Sequence, residues 1–155
     1  MNTKKKSQDP TKWVSMSLCW SKNAQIHQKS NFPYTLSAKL STILWRNVTH
    51  GEMGVVLTIV HDDDDDDDDD EKLLEFIEHF AHDDGVVILR EKTSSLGCVL
   101  QSQLSRMFVF EQEFIDEDDI IITSDVDIFP MDKRIIDPLE KPFITWIYRW
   151  DITNM

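Results

Sequence analysis

The stretch VVLTIV, from Val55 to Val60, is the part of the sequence that decides the fold. It is a continuous apolar run, rich in β-branched residues, and such a run is typical of a strand that is covered on both faces. Gly51 and Gly54 precede it and mark a break in the chain. A strand covered on both faces belongs to a parallel sheet with helices on each side, so the run predicts an α/β fold.

Further segments with strand character lie before and after this run, and the first of them alternates instead of being continuously apolar. They predict four further strands: Trp13 to Cys19 (WVSMSLC), Val86 to Leu89 (VVIL), Ile120 to Thr123 (IIIT) and Phe143 to Tyr148 (FITWIY). Segments with helical spacing separate the first four strands. This alternation predicts a Rossmann-like, mostly parallel sheet with flanking helices.

Three amphipathic helices are expected between the strands, each with its apolar face on the sheet. The first begins near Asn31 and has the stripe Leu36, Leu40, Ile43 and Leu44; the second has Leu73, Leu74, Phe76, Ile77 and Phe80; the third has Leu100, Leu104, Met107 and Phe108. Ser94 or Ser95 is suited to cap the third helix.

Length and charge describe one domain with an acidic insert. The chain has 155 residues and carries 29 acids against 16 Lys and Arg. Ten of these acids lie between Asp62 and Glu71, so the remaining 19 acids nearly balance the 16 bases. We expect a disordered basic tail over residues 1–12 and a single domain over 13–151, with a low-complexity insert at 62–71. A nearly neutral body argues against a nucleic-acid-binding protein, which would need a basic face.

The aspartate run itself favours a solvated insert. Like charges four residues apart repel on a helix, so we expect the run to stay extended until about Glu71. Loose binding of Ca²⁺ or Mn²⁺, or docking to a basic partner, is the functional alternative. Two cysteines, Cys19 and Cys98, are too few for a disulfide scaffold, and the sequence leaves their state open.

The chemistry is expected in the tripeptide Asp125-Val126-Asp127, which directly follows the Ile-rich strand. Ligands bind outside the carboxyl ends of the strands in parallel α/β sheets. Carboxylates at such a place suit a hard divalent cation, Mg²⁺ or Mn²⁺, which in turn binds substrate phosphates.

The segment IIITSDVDIFPM, from Ile120 to Met131, resembles the Asp-x-Asp segment of nucleotide-diphosphosugar glycosyltransferases of the GT-A fold. The preceding stretch from Val99 to Asp119 is similar to the helix and acidic turn of that family. Haloacid-dehalogenase-like phosphatases also place Asp-x-Asp after an apolar strand. They require Thr or Val where this chain has Phe129, so that class fits less well.

The glycosyltransferase resemblance implies a role for three residues. Asp127 matches the residue that binds the metal bridging the two phosphates. Asp125 matches the residue that contacts the sugar nucleotide, directly or through the metal. Arg106, on the helix before the strand, is expected to pair with a phosphate or with the sugar-binding carboxylate.

The resemblance implies transfer of a hexosyl group from a nucleoside diphosphate sugar, with UDP as the expected nucleotide and Mn²⁺ or Mg²⁺ as the cofactor. It covers the nucleotide-sugar-binding, N-terminal half of a GT-A enzyme, and we expect the acceptor-binding half to be missing. The Golgi lumen is the implied location, although no signal peptide or membrane anchor is visible. The alternative hypothesis is a non-catalytic acidic interaction or cation-binding module that retains half of an enzyme fold.

Overall fold

The computed structural model describes residues 12–21, 34–62, 67–116 and 119–132 of the chain. In chain order its elements are β1 (Lys12–Trp20), α1 (Tyr34–Val48), β2 (Met53–His61), α2 (Asp67–Glu78), β3 (Val86–Lys92), α3 (Cys98–Ser105), a 3-10 turn (Val109–Glu111) and β4 (Ile120–Thr123). The strands form one sheet in the order β3-β2-β1-β4. Every neighbouring pair is parallel, which confirms the predicted α/β class.

The helices lie on both faces of this sheet. On one face, α1 and α2 enclose the larger buried cluster: Val14, Met16, Leu18, Ala38, Trp45, Met53, Val55, Leu57, Ile59, Leu73, Phe76, Phe80 and Val126. On the other face, α3 packs near a smaller cluster of Trp13, Val56 and Val109. All residues of β2 from Met53 to Val60 are buried, as the VVLTIV run predicts for a strand covered on both faces.

The predicted apolar stripe of α1 is wrong, because the helix buries the opposite set of residues. Its buried side chains are Ser37, Ala38, Ser41, Thr42 and Trp45, whereas Leu36, Leu40 and Ile43 are about two-fifths exposed. Small side chains let the helix backbone approach the sheet closely. The hydroxyl of Ser41 is satisfied in this position, because it donates a hydrogen bond to the carbonyl of Ile128 at 2.8 Å.

The third helix also departs from the prediction. Gly97, and not Ser94 or Ser95, occupies the N-cap position of α3, with no capping bond from a side chain. Ser94 instead accepts a hydrogen bond from the amide of Leu96 in the preceding turn. The helix buries Cys98 and Ser102, which leaves Leu100, Met107 and Phe108 exposed. The expected apolar face is absent because the helix ends at Ser105 and turns Cys98 towards the sheet.

Two predicted boundaries move, and several predicted features lie outside the described residues. Helix α2 begins at Asp67, so the aspartate run does not stay extended to Glu71. The positive end of the helix dipole favours acids in the first turn and opposes their mutual repulsion. Lys12 belongs to β1, and the rest of the predicted tail, residues 1–11, lies outside the described residues. The strand predicted over Phe143 to Tyr148 and the helix start near Asn31 lie outside the described part of the chain.

Arg46, in the last turn of α1, forms hydrogen bonds with residues at the edge of the sheet where the strands begin. Its guanidinium donates hydrogen bonds to the carbonyls of Gly51 at 3.0 Å and Met53 at 2.6 Å, and to the carboxylate of Asp83 at 3.2 Å. Gly85 lies directly beneath this guanidinium, and a Cβ atom there would overlap it. A side chain at position 85 therefore requires the guanidinium of Arg46 to move.

Candidate functional site

The candidate site lies between β1 and β4, where the direction in which the chain adds strands to the sheet reverses. From β1 the chain proceeds through α1 to β2 and on to β3. It then crosses the other face through α3 and returns to the free side of β1 as β4. In open parallel sheets ligands bind at such a reversal, outside the carboxyl ends of the two strands. Asp125-Val126-Asp127 follows β4 at this point, as the sequence predicts.

Strand β4 is shorter than its neighbour, and this makes a step in the sheet. It pairs only with Lys12 to Ser15 of β1, and the amide of Ser124 donates the last hydrogen bond to the carbonyl of Ser15 at 2.9 Å. Strand β1 continues beyond this point to Trp20. The two aspartates therefore leave the sheet at the level of the middle of β1.

A tight turn sets the direction of the two carboxylates. The amide of Ile128 donates to the carbonyl of Asp125 at 3.1 Å, which closes the turn. Val126 is buried in the large cluster beneath α1, and this fixes the turn from below. Asp125 and Asp127, on either side of the buried valine, remain exposed. In the Asp-x-Asp segment the middle residue, Val126, is therefore buried and holds the turn in place. The two aspartates on either side of it are exposed to solvent.

Arg106 meets these carboxylates from the end of α3. Its guanidinium forms an ion pair with the carboxylate of Asp125 and also donates to the carbonyl of Ser124 at 3.4 Å. Burial lowers the pKa of Arg106 from its ordinary value, and the negative charge of Asp127 opposes this shift. The arginine stays protonated at neutral pH, because its ordinary pKa lies far above that range. All three residues singled out in the sequence therefore come together in the structure.

The ion pair orients the site more than it stabilises the fold. The side chain of Asp125 is 56% exposed and that of Arg106 is 21% exposed. A pair this open to solvent contributes at most about 1 kcal/mol. The sequence leaves a phosphate and the sugar-binding carboxylate open as partners of Arg106. In the structure Arg106 pairs with the carboxylate of Asp125. Because the pair is weak, an anionic ligand can compete for the arginine.

The carboxylates alone do not complete a metal site. Within the described residues, no group of three or more His, Cys, Asp and Glu side chains is arranged to hold a metal ion. Asp127 is exposed and makes no hydrogen bond inside that part of the chain, and Asp125 is engaged by Arg106. Carboxylate oxygens suit Mg²⁺ and Mn²⁺, which commonly take their other ligands from water and substrate phosphates. The donor set fits a cation that is bound together with a phosphate ligand.

Two supporting contacts have no clear signal in the sequence. The indole nitrogen of Trp13 donates to the carboxylate of Asp119 at 3.0 Å, and this acid also accepts from the amide of Asp116 at 3.1 Å. The acidic turn is thereby attached to β1 just before β4 begins. A disulfide joins Cys19 to Cys98 over a separation of 79 residues. The spacing of two cysteines so far apart does not show whether they pair.

The aspartate run begins well away from this site. His61 ends β2 opposite Trp20, whereas Thr123 ends β4 opposite Ser15. The two strand ends differ by five residues along the strands and by two strand spacings across the sheet, or about 19 Å. Salt screens charges over about 8 Å at physiological ionic strength. The end of β2, where the run begins, and the end of β4 are therefore separated by more than the screening length.

Among the helices that the structure describes, none has both the length and the apolar character needed to cross a membrane.

No family model, curated protein or solved structure matches the chain. The glycosyltransferase resemblance accordingly remains a prediction, carried by the residues of the Asp-x-Asp segment.

Proposed function

We propose that this chain is the nucleotide-sugar-binding part of a metal-dependent glycosyltransferase, and that it binds a nucleoside diphosphate sugar between the ends of β1 and β4. The observation that carries the proposal is the exposed pair Asp125 and Asp127 at the reversal of strand order, with Arg106 beside it. A diphosphate needs positive charge from a cation and from a guanidinium, and this place offers ligands for the first and contains the second.

Asp127 is the residue best suited to hold the cation. It is exposed, and the buried Val126 beside it keeps the turn in place. Two unpaired carboxylates would attract a cation strongly even when no nucleotide is bound. Here, however, the positive charge of Arg106 offsets the negative charge of Asp125. The cation and the diphosphate should therefore bind together. A bound Mn²⁺ or Mg²⁺ supplies Lewis-acid stabilisation of the charge that develops on the leaving diphosphate.

Asp125 and Arg106 have the complementary task of orienting the donor. Asp125 accepts hydrogen bonds, so its exposed oxygen suits a ribose or sugar hydroxyl. Arg106 donates from a planar group that matches phosphate as well as carboxylate geometry. Their mutual contact favours, by at most about 1 kcal/mol, the arrangement in which the two side chains lie together before the ligand arrives. Such prior ordering reduces the entropy that is lost on binding.

The substrate and location follow from the resemblance. UDP is the proposed nucleotide and a hexose is the proposed transferred group. The Cys19–Cys98 disulfide supports an oxidising compartment such as the Golgi lumen, because disulfides persist in such compartments and are rare in the cytosol.

Isothermal titration calorimetry with UDP, in the presence and absence of Mn²⁺, tests the proposal. The expected result is Mn²⁺-dependent binding that Asp127→Asn weakens at least about tenfold, since a ligand to the cation is lost. Asp84→Asn is the matched control, because Asp84 is also exposed but lies just before β3, at the opposite edge of the sheet. Absence of UDP binding, or equal loss in the two variants, would refute the proposal.

A second function is supported by the separation of the aspartate run from the site. Because the strand ends are about 19 Å apart, the run can bind Ca²⁺ or a basic protein without involving Asp127. A non-catalytic acidic module predicts that Ca²⁺ binding is lost when the run is replaced by Ser and Gly. It also predicts that Asp127→Asn leaves this binding unchanged. Equal Ca²⁺ binding before and after replacement of the run would exclude the module.

A further inference from the structure

Helix α3 carries Arg106 at its end, yet it has little apolar contact with the sheet. Of its eight residues only Cys98 and Ser102 are buried, and Val99 and Leu100 are exposed by about one half. Polar contacts hold the rest: the hydroxyl of Ser17 donates to the carbonyl of Ser102, and Gln101 donates to the carbonyl of Lys92 at 2.9 Å. Hydrogen bonds of this kind, partly open to water, hold a helix only weakly.

Besides the main chain, the disulfide is the one covalent link within the described residues between this helix and the sheet. It joins Cys98, the first residue of α3, to Cys19, near the carboxyl end of β1. The bond adds a covalent cross-link to a helix that otherwise packs on β1 and β2 through small and polar side chains. The bond fixes where the helix begins, and the length of the helix then determines where Arg106 lies.

The dimensions of the two elements agree with this reasoning. Eight helical residues advance about 12 Å from Cys98 towards Arg106. The four residues from Cys19 back to Ser15 cover about 13 Å along β1. Ser15 is the residue that Ser124 contacts, immediately before Asp125. A helix that is bonded to Cys19 at its start and runs back along β1 therefore ends at the level of Asp125.

We propose that the Cys19–Cys98 disulfide is a positioning element of the candidate site. It holds α3 in the register that keeps Arg106 on Asp125 and available to an anionic ligand. Without it the helix loses its fixed start, and Arg106 leaves the place where a diphosphate binds. The choice of diphosphate as ligand rests on the proposed function, whereas the effect on Arg106 does not.

Reduction of the disulfide tests the position of the helix directly. Dithiothreitol supplies two electrons and two protons, breaks the sulfur–sulfur bond to give two thiols, and itself becomes a cyclic disulfide. Thiol titration verifies that two thiols have appeared. In ¹H–¹⁵N spectra the amide signals of Cys98 to Arg106 and of Asp125 should shift or broaden, while those of β2 keep their folded positions. Unchanged α3 signals after full reduction would overturn the proposal, as would collapse of the β2 signals to unfolded positions.

A thermodynamic cycle separates positioning from general stability. UDP affinity in the presence of Mn²⁺ is measured for the wild type and for Arg106→Gln, each oxidised and reduced. Reduction should weaken binding about tenfold in the wild type, as expected for one lost charge-assisted contact, and less than about twofold in Arg106→Gln. Equal weakening in both proteins would assign the disulfide a merely structural role. If UDP binds to neither oxidised protein, the proposed function fails, and the amide signals alone decide on the disulfide.

Discussion

Opening the Cys19–Cys98 disulfide is expected to lower the free energy of unfolding by about 4.5 kcal/mol. The value follows from the separation of 79 residues, because the cross-link removes the entropy of a loop of that length from the unfolded chain. For a chain of this size the loss corresponds to a decrease in Tm of roughly 13 °C. A domain with a typical stability of about 5 to 15 kcal/mol remains folded after this loss, but with a reduced margin.

Urea denaturation followed by tryptophan fluorescence measures this loss, since Trp13 and Trp45 are buried in the folded protein. The double variant Cys19→Ser/Cys98→Ser is compared with the wild type, each with and without dithiothreitol. We expect dithiothreitol to bring the wild type to the midpoint of the double variant and to leave the variant itself unchanged. A difference below about 1 kcal/mol would refute the reasoning, because a loop of this length would then contribute almost nothing.

Four further changes test the packing and the electrostatics of the fold. Gly85→Ala should destabilise the protein by about 1 kcal/mol, because its Cβ displaces the guanidinium of Arg46 and weakens its hydrogen bonds. An unchanged midpoint of thermal unfolding would contradict this. Thr58→Val should stabilise by about 1 kcal/mol, because the buried hydroxyl of Thr58 has no hydrogen-bond partner among the described residues. Thr49→Val should instead destabilise the protein, because the hydroxyl of Thr49 donates to the carbonyl of Trp45 at 2.7 Å. Equal effects of Thr58→Val and Thr49→Val in urea titrations would contradict this difference. Replacing the aspartates of residues 62–70 by Ser and Gly should change UDP affinity less than about twofold at physiological salt, and a large gain in calorimetry would place the run near the site.

The strands could be predicted from the sequence, because each of them contains an apolar run or a segment in which apolar and small polar residues alternate. Val55 to Val60 and Ile120 to Thr123 lie in strands as expected. The parallel arrangement followed from the helical segments between them. The order of the strands was not predictable by the same means. It depends on which side of β1 the fourth strand joins, and no local pattern encodes that choice.

The buried faces of the helices could not be predicted from their periodicity. In α1 the leucines and the small residues recur with the same helical spacing, so the pattern gives the period but not the side that packs. The sheet accepts Ser37, Ala38 and Ser41 because their small volume permits close approach. Leu36 and Leu40 remain at the surface as a result. A stripe of leucines is therefore a weaker guide here than the size of the residues opposite.

The candidate site was accessible from the sequence only in part. Asp125 and Asp127 were identified from their place after a strand, and Arg106 from its place on the preceding helix. The sequence left two partners open for the arginine, and only the three-dimensional arrangement brings it to Asp125. The disulfide that fastens its helix was not predictable, because it depends on how β1 and α3 cross in space.

Paramagnetic broadening in ¹H–¹⁵N spectra tests most directly whether a divalent cation and a nucleoside diphosphate bind together at Asp127. Mn²⁺ broadens the signals of nuclei that lie close to it. With UDP present, we predict that substoichiometric Mn²⁺ selectively broadens the amide signals of Asp125 to Ile128, and leaves that of Asp84 sharp. Broadening confined to the aspartate run at 62–70, with the turn after β4 unaffected, would contradict the account.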